Sequence, residues 1–204
     1  MQETYKIEKK DWAAKLMAIV VVVTMVTSTF VLFAPEASAR TGSDSYGYTF
    51  KDSAELDGPT YDWTDITSSG TKLLGFSSDG SQGPFNIGFD FEFYENSFDK
   101  FYNGGDNGYI TFGGGSPSRW TPYSIPSTQL QPNSIIGGWF DGGFCTTQNA
   151  DSGVYYETIG AAGSRKLIVQ MEDQVYYGAR QGTYYCNSGN AWSTNTITWQ
   201  IILH

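Results

Sequence analysis

The segment Phe85-Asn86-Ile87-Gly88-Phe89-Asp90-Phe91-Glu92-Phe93 decides the fold. Its large apolar side chains recur at every second position, and small or polar residues stand between them. Because successive side chains of a strand point to opposite faces, this alternation predicts a β-strand with one face against a core and the other toward water.

Similar but weaker alternation occurs in three further segments, 153–157, 167–171 and 197–201. The chain has 24 glycines, and from residue 40 onward they recur too often for a helix of several turns. Turn signals separate the apolar segments: Asp57-Gly58-Pro59, Asp79-Gly80, Asn107-Gly108, Asp141-Gly142 and Asn187-Ser188-Gly189-Asn190. Many short strands with such turns predict an all-β fold, an antiparallel two-sheet β-sandwich or jelly roll. Residues 114–133 contain four prolines and are predicted to form a long crossing loop.

The N-terminal region has the three parts of a secretory signal. Four lysines precede an apolar run over residues 16–34, and Ala37-Ser38-Ala39 supplies the small residues that a signal peptidase accepts. We therefore expect residues 1–39 to be a cleaved signal peptide, with an uncleaved membrane anchor as the alternative. Both interpretations place residues 40–204, expected to be one β-sandwich module, in the secreted or cell-surface compartment. Membrane contact is expected only through the N-terminal segment, if it is retained.

Composition excludes several classes of function. The formal net charge of −9 offers no basic surface for phosphates, so nucleic acid is not an expected partner. His204 is the one histidine, which leaves no internal residue for a Ser-His-Asp site or a histidine-ligated zinc. Carboxylates are the remaining acid-base groups, and the candidates for a glycosidase pair are Asp141, Glu157, Glu172 and Asp173. Strand alternation directs Glu157 toward solvent, and Glu172 and Asp173 end a strand, where acidic residues commonly face water. The sequence predicts that the protein is not an enzyme.

The exported part contains two cysteines, Cys145 and Cys186. An oxidising compartment predicts a disulfide between them, across neighbouring edges of the sheet. Two buried free thiols are the alternative.

Two sets of residues are candidate ligand sites. Asp106 and Asp141 lie in acidic turns that suit a calcium ion, and no other cofactor is expected. The alternative is that Asp and Asn with glycine form these turns without any metal. Trp120, Tyr123 and Trp192 lie in or near loops and offer rigid aromatic surface for a sugar or a protein. Three tyrosine pairs would add outward-facing rings, with packing as the alternative role for such aromatics.

A series of segments in one order resembles a nidogen-like extracellular β module found in bacterial and archaeal surface proteins. The resemblance spans about residues 45–203, and the cysteines are not part of it. Its segments are 61–66, 87–94, 107–113, 135–141, 153–160, 165–173 and 195–203. The resemblance implies a secreted, non-catalytic adhesive or scaffold module. Its expected partner is a cell-surface protein or a glycan, and a carbohydrate-binding module using the loop aromatics is the alternative function.

The last strand, predicted over residues 197–203, is apolar and has no polar segment after it. Modules of this kind usually continue into a further strand, so one expectation is that the chain is the front part of a longer protein. The second is self-association through this C-terminal edge strand, which gives a filament by strand donation. The natural donor is then the segment from Arg40 to Asp52, with alternating Tyr46, Tyr48 and Phe50.

Overall fold

The computed structural model describes residues 16–17, 40–74, 81–104, 107–115, 134–137, 144–146, 151–176 and 196–204. Their regular elements are strands, apart from two helical residues, Leu16 and Met17, and a 3₁₀ residue at Asn107. Within these ranges no helix has the length and apolarity to cross a membrane. Every strand pairing is antiparallel, which confirms the predicted all-β class. The predicted signal segment, 1–39, lies outside the described residues except for the two helical ones.

Eleven strands are described. They are β1 (Thr41–Ser43), β2 (Thr49–Lys51), β3 (Thr71–Leu73), β4 (Gln82–Phe93), β5 (Asn96–Asn103), β6 (Tyr109–Thr111), β7 (Ile135–Gly137), β8 (Phe144–Thr146), β9 (Gly153–Ile159), β10 (Lys166–Tyr176) and β11 (Ile197–Leu203).

The chain divides into two compact units, Met1–Asp62 and Trp63–His204. In the first unit, β1 and β2 form a two-stranded hairpin. The second unit contains a five-stranded sheet in the order β11-β10-β9-β3, with β8 also pairing with β10. It also contains a four-stranded sheet in the order β4-β5-β6-β7.

The two larger sheets share one hydrophobic core. The ring of Tyr156 on β9 lies 5.2 Å from Phe85 and 5.4 Å from Phe101 of the other sheet, measured between centroids. Both sheets contribute fully buried side chains, so they pack face to face as predicted for a sandwich. The buried members are Leu73, Ile87, Phe101, Ile110, Phe112, Val154, Leu167, Val169, Met171, Ile201 and Leu203.

Strand β4 has the predicted alternation. Ile87 is completely buried, the four phenylalanines at 85, 89, 91 and 93 are half-buried against the core, and the residues between them are exposed. The pairing with β5 is nevertheless irregular, because Asn86 pairs with Lys100 while Phe91 pairs with Phe98. The additional β4 residues form a bulge around Gly88, whose φ is +91°.

Strand β10 is covered on both faces. Leu167, Val169 and Met171 face the shared core, whereas Ile168 belongs to a second buried cluster with Ile66 and Tyr155. This explains the unbroken apolar run from Leu167 to Val169, since a strand buried on both faces needs no polar face.

Candidate functional site

Most of the residues predicted from sequence to form a site lie outside the described ranges. This applies to the loop aromatics Trp120, Tyr123 and Trp192, to the calcium candidates Asp106 and Asp141, and to Cys186. Cys145 lies in β8, of which only the backbone is described. In the described part of the chain, no three His, Cys, Asp or Glu side chains group as metal ligands would.

Asn107, in the turn before β6, has a structural role. Asn107 is fully buried, and its Nδ2 donates a hydrogen bond to the Gly104 carbonyl at 3.1 Å. Gly108 follows with φ of +73°, as the Asn-Gly signal predicts. The side chain of Asn107 therefore fixes the β5–β6 connection.

Three of the candidate catalytic carboxylates, Glu157, Glu172 and Asp173, lie in the described ranges. Each of them accepts a hydrogen bond within the fold. Ser69 Oγ donates to Glu157 Oε2, and Thr196 Oγ1 donates to Asp173 Oδ1 at 3.1 Å. Asp173 has φ of +49° in a bulge where Met171 pairs with Trp199 and Gln174 with Ile197. These contacts tie neighbouring segments together, which is a structural use of the carboxylates.

The third carboxylate belongs to a glutamine cluster formed by Asp65, Gln170, Glu172 and Gln200. Gln170 is completely buried, and its Nε2 donates to Asp65 Oδ1 at 3.1 Å and to Glu172 Oε2 at 2.8 Å. Its Oε1 accepts from the Ile66 N–H at 3.1 Å and from Gln200 Nε2 at 2.8 Å. Both hydrogens and both lone-pair directions of this amide are thus used.

The glutamine cluster holds the segment before β3 against the outer face of the five-stranded sheet. Gln200 Nε2 donates to the Thr64 carbonyl at 2.6 Å, and Ile66 packs with Ile168 and Tyr155 beneath this segment. The pKa of Asp65 is lowered, first by the hydrogen bond from the Thr67 backbone N–H and then by the Gln170 amide. The cluster therefore joins the segment that contains Asp65 and Ile66 to strands β10 and β11.

An open depression lies beside the β4 bulge. The ammonium group of Lys100 is 2.9 Å from the carboxylate of Asp99. This hydrogen bond lowers the pKa of Asp99. A paired cation in such a depression disfavours a metal ion there. The lining residues are Asn86, Gly88, Phe89, Asp90, Asp99 and Lys100.

The pair Tyr155-Tyr156 is divided between the two faces of β9, as strand alternation predicts. Tyr156 packs against the shared core, and Tyr155 is 4% exposed in the second cluster. The expectation of an outward binding ring is therefore wrong for this pair, because the segment containing Ile66 covers the outer face. Tyr177, Tyr184 and Tyr185 lie outside the described residues.

Three of the exposed aromatic residues in the described ranges lie on the first unit's hairpin, whereas Tyr61 and Tyr94 are exposed elsewhere. Tyr46, Tyr48 and Phe50, here called the tyrosine face, are 51%, 40% and 58% exposed. The rings of Tyr46 and Tyr48 stack with centroids 5.7 Å apart and an interplanar angle of 22°. From the sequence, the alternation of these residues predicted a strand that is donated to another copy. The hairpin that exposes them was not predicted.

One aspartate fixes the tip of this hairpin. Asp44 Oδ1 accepts hydrogen bonds from the backbone N–H groups of Tyr46, Gly47 and Tyr48, at 3.0, 2.8 and 2.9 Å. At the open end, Asp52 Oδ2 accepts from the Arg40 N–H at 2.8 Å. The tyrosine face is thus held by local hydrogen bonds and does not depend on burial of its rings.

Comparison with known proteins gives one match. A family model described as NIDO related matches residues 47–203, which includes part of the hairpin and the whole sandwich. No curated protein and no solved structure matches the chain. The family consists of structural, non-enzymatic modules that are typically extracellular. Since the match covers most of the sequence, the chain belongs to the NIDO-related, that is nidogen-related, family.

Proposed function

We propose that the protein is a secreted or cell-surface module that serves adhesion or the architecture of the cell envelope without catalysing a reaction. The observation that carries this proposal is the set of apolar side chains that the first unit exposes. Contiguous exposed apolar surface in soluble proteins usually marks an interaction site. These side chains are Tyr46, Tyr48 and Phe50 of the hairpin, with exposed fractions from 40% to 58%.

The remaining described features support a structural role. Among the carboxylates that could act as acid or base, Glu157 accepts a hydrogen bond from Ser69 of another segment, and Glu172 accepts one from Gln170 of its own strand. A glycosidase needs two carboxyl groups that act on a substrate in a common cleft. The two carboxylates of the glutamine cluster, Asp65 and Glu172, instead both accept hydrogen bonds from the Gln170 amide.

Cell fractionation and adhesion assays test this proposal. We expect the full chain to be digested by protease added to intact cells, and beads coated with it to attach to cells or to their extracellular material. The control is the same beads coated with the Tyr46→Ser, Tyr48→Ser, Phe50→Ser variant, which should attach less well because these changes remove the exposed rings and leave the buried core unchanged. A chain found only in the cytoplasm, or one whose beads attach no better than bare beads, would refute the proposal.

Strand addition between copies is a second candidate function, favoured by the position of β11. This strand ends the order of the five-stranded sheet, and residues 196–203 include no charged residue and no proline. Native edge strands are usually protected by such residues, so an uncharged edge favours pairing with another strand. The segment 40–52 already forms a hairpin, so it would have to add through an outer edge of that hairpin or by opening it.

Measurement of the oligomeric state tests strand addition. We expect concentration-dependent oligomers in size-exclusion chromatography, and their loss on Thr198→Lys, which places a charge at an exposed position of the edge strand. The matched control is Leu74→Lys, since Leu74 is 77% exposed and lies outside β11. A monomer at every concentration would exclude this candidate.

A further inference from the structure

The chemical composition of the tyrosine face indicates which class of ligand it can bind. It consists of three aromatic side chains on one hairpin and contains no aliphatic residue. Thr49 and Lys51, which alternate with Phe50 along β2, lie on the opposite side of the two-stranded ribbon. The face is therefore both apolar and polar, because each tyrosine combines an apolar ring with a hydroxyl group that donates and accepts hydrogen bonds.

The shape of this face is fixed before any ligand arrives. Three backbone N–H groups converge on Asp44 Oδ1, and the Asp44 N–H donates back to the Tyr48 carbonyl at 2.9 Å. The Phe50 ring lies over Gly42 of β1, where any side chain would collide with it. A face with this geometry already set loses little conformational entropy on binding.

Charge distinguishes between ligand classes. Residues 40–62 contain two basic side chains and five acidic ones, within a chain whose net charge is −9. Like charges repel uronic acid polymers, anionic lipids and also a second copy of the same hairpin. An uncharged ligand with apolar ring faces and many hydroxyls avoids this repulsion and matches both parts of a tyrosine.

We propose that the tyrosine face binds uncharged polysaccharide, with pyranose C–H faces packed on the rings of Tyr46 and Tyr48. This inference rests on the proposed adhesive function and names the class of its ligand. The sugar hydroxyls bond to water and to the phenol groups, while Phe50 extends the apolar surface along the strand. Such binding requires no metal and no catalytic group.

Affinity electrophoresis of the full chain tests this inference, with soluble glucan, mannan, xylan and galactan as probes and a uronic acid polymer for comparison. We expect retardation by at least one uncharged polymer and none by the charged one. The double variant Tyr46→Ala, Tyr48→Ala should bind at least about tenfold more weakly than the unchanged chain, as expected for two lost stacking contacts. The Phe variants of both tyrosines keep the rings and should retain most of the binding.

The matched control is Tyr61→Ala, which removes an 86% exposed tyrosine of the same unit that is not in the tyrosine face. Far-UV circular dichroism of each variant verifies that the sandwich is folded. No retardation by any uncharged polymer would overturn the inference, as would equal losses in the double variant and in Tyr61→Ala. If the chain binds cells but no uncharged polysaccharide, the adhesive function stands and this inference is wrong. Tyrosine-dependent self-association without sugar binding would show instead that the face binds a second copy.

Discussion

Gln170 shows how a single polar residue can organise an apolar surface. It lies at 0% exposure in a strand, between Val169 and Met171. Its amide bonds to two other chain segments, the one with Asp65 and Ile66 and strand β11, and to a glutamate of its own strand. Burying an amide costs free energy unless its hydrogen bonds are made, so the cluster stabilises one position of the segment containing Ile66.

We expect Gln170→Met to lower the free energy of unfolding by about 1–3 kcal/mol, because it leaves the buried Ile66 N–H without its acceptor. Urea denaturation measures the effect. Asn86→Met, at an exposed position of β4, is the control and should change stability by less than about 0.5 kcal/mol. Equal effects of the two substitutions would contradict the role given to the glutamine cluster.

The lowered pKa of Asp65 predicts a pH dependence of stability. A carboxylate whose folded pKa is depressed contributes stability above its unfolded pKa, which is 3.8, and loses that contribution as pH falls through the lower folded value. Relative to the unchanged chain, Asp65→Asn should therefore lose less stability as pH is lowered below 3.8. Thermal denaturation across this range tests the prediction, with Asp90→Asn as the control at an exposed position of β4. Because Asp65 is exposed, solvent screening keeps the difference modest. Parallel curves for Asp65→Asn and the unchanged chain would refute it.

At the scale of elements, the β4 bulge connects the two sheets at one corner. Thr158 Oγ1 donates to the Ile87 carbonyl at 2.6 Å, and an Arg165 guanidinium nitrogen donates to the Gly88 carbonyl at 2.7 Å. The bulge turns these carbonyls away from β5 and toward the other sheet. A regular strand would have used them for pairing within its own sheet.

We expect Gly88→Ala to destabilise the sandwich by about 1–3 kcal/mol, since φ of +91° strains a residue with a side chain. The added Cβ would also lie 2.9 Å from Thr158 Cγ2. Gly114→Ala is the matched control, because open space surrounds Gly114. Thermal denaturation of both variants gives the comparison, and a Gly88→Ala variant as stable as Gly114→Ala would show that the bulge relaxes freely.

The β4–β5 connection shows a limit of turn prediction. Phe93 pairs with Asn96, so Tyr94 and Glu95 form the turn, and Tyr94 adopts φ of +53°. A bulky residue rarely takes this conformation, and no glycine or asparagine marks the position. Within this turn, the Tyr94 ring makes a T-shaped contact with the Phe93 ring, with centroids 4.8 Å apart.

At the scale of the whole molecule, the predicted disulfide between Cys145 and Cys186 would close a long loop beside β10, because β8 pairs Cys145 with Val175. Mass spectrometry of the non-reduced exported protein should find no free thiol. Reduction should lower the free energy of unfolding by up to about 4 kcal/mol, the loop-closure value for this separation. The Cys145→Ser, Cys186→Ser double variant should be insensitive to reductant, and two free thiols in the exported protein would end this prediction.

The sequence by itself determined the fold class and the strands with strong alternation. The segment 85–93 lies inside β4, and the segments 153–157, 167–171 and 197–201 lie inside β9, β10 and β11. Their periodicity is a local property, because a strand in a sandwich must place one residue in two against the core. The order of segments that resembles nidogen-like modules is likewise readable from the chain and agrees with the family match over residues 47–203.

Only the tertiary structure decided which surfaces stay exposed. Tyr155 has the pattern of an outward ring and is buried, whereas Tyr46 and Tyr48 have the pattern of a strand and stand exposed on a hairpin. Periodicity assigns a side chain to a face of its strand, but whether another segment covers that face depends on residues more than a hundred positions away, as Ile66 and Gln170 show. Burial of this kind is a property of packing between distant segments, so it had no local signal in the sequence.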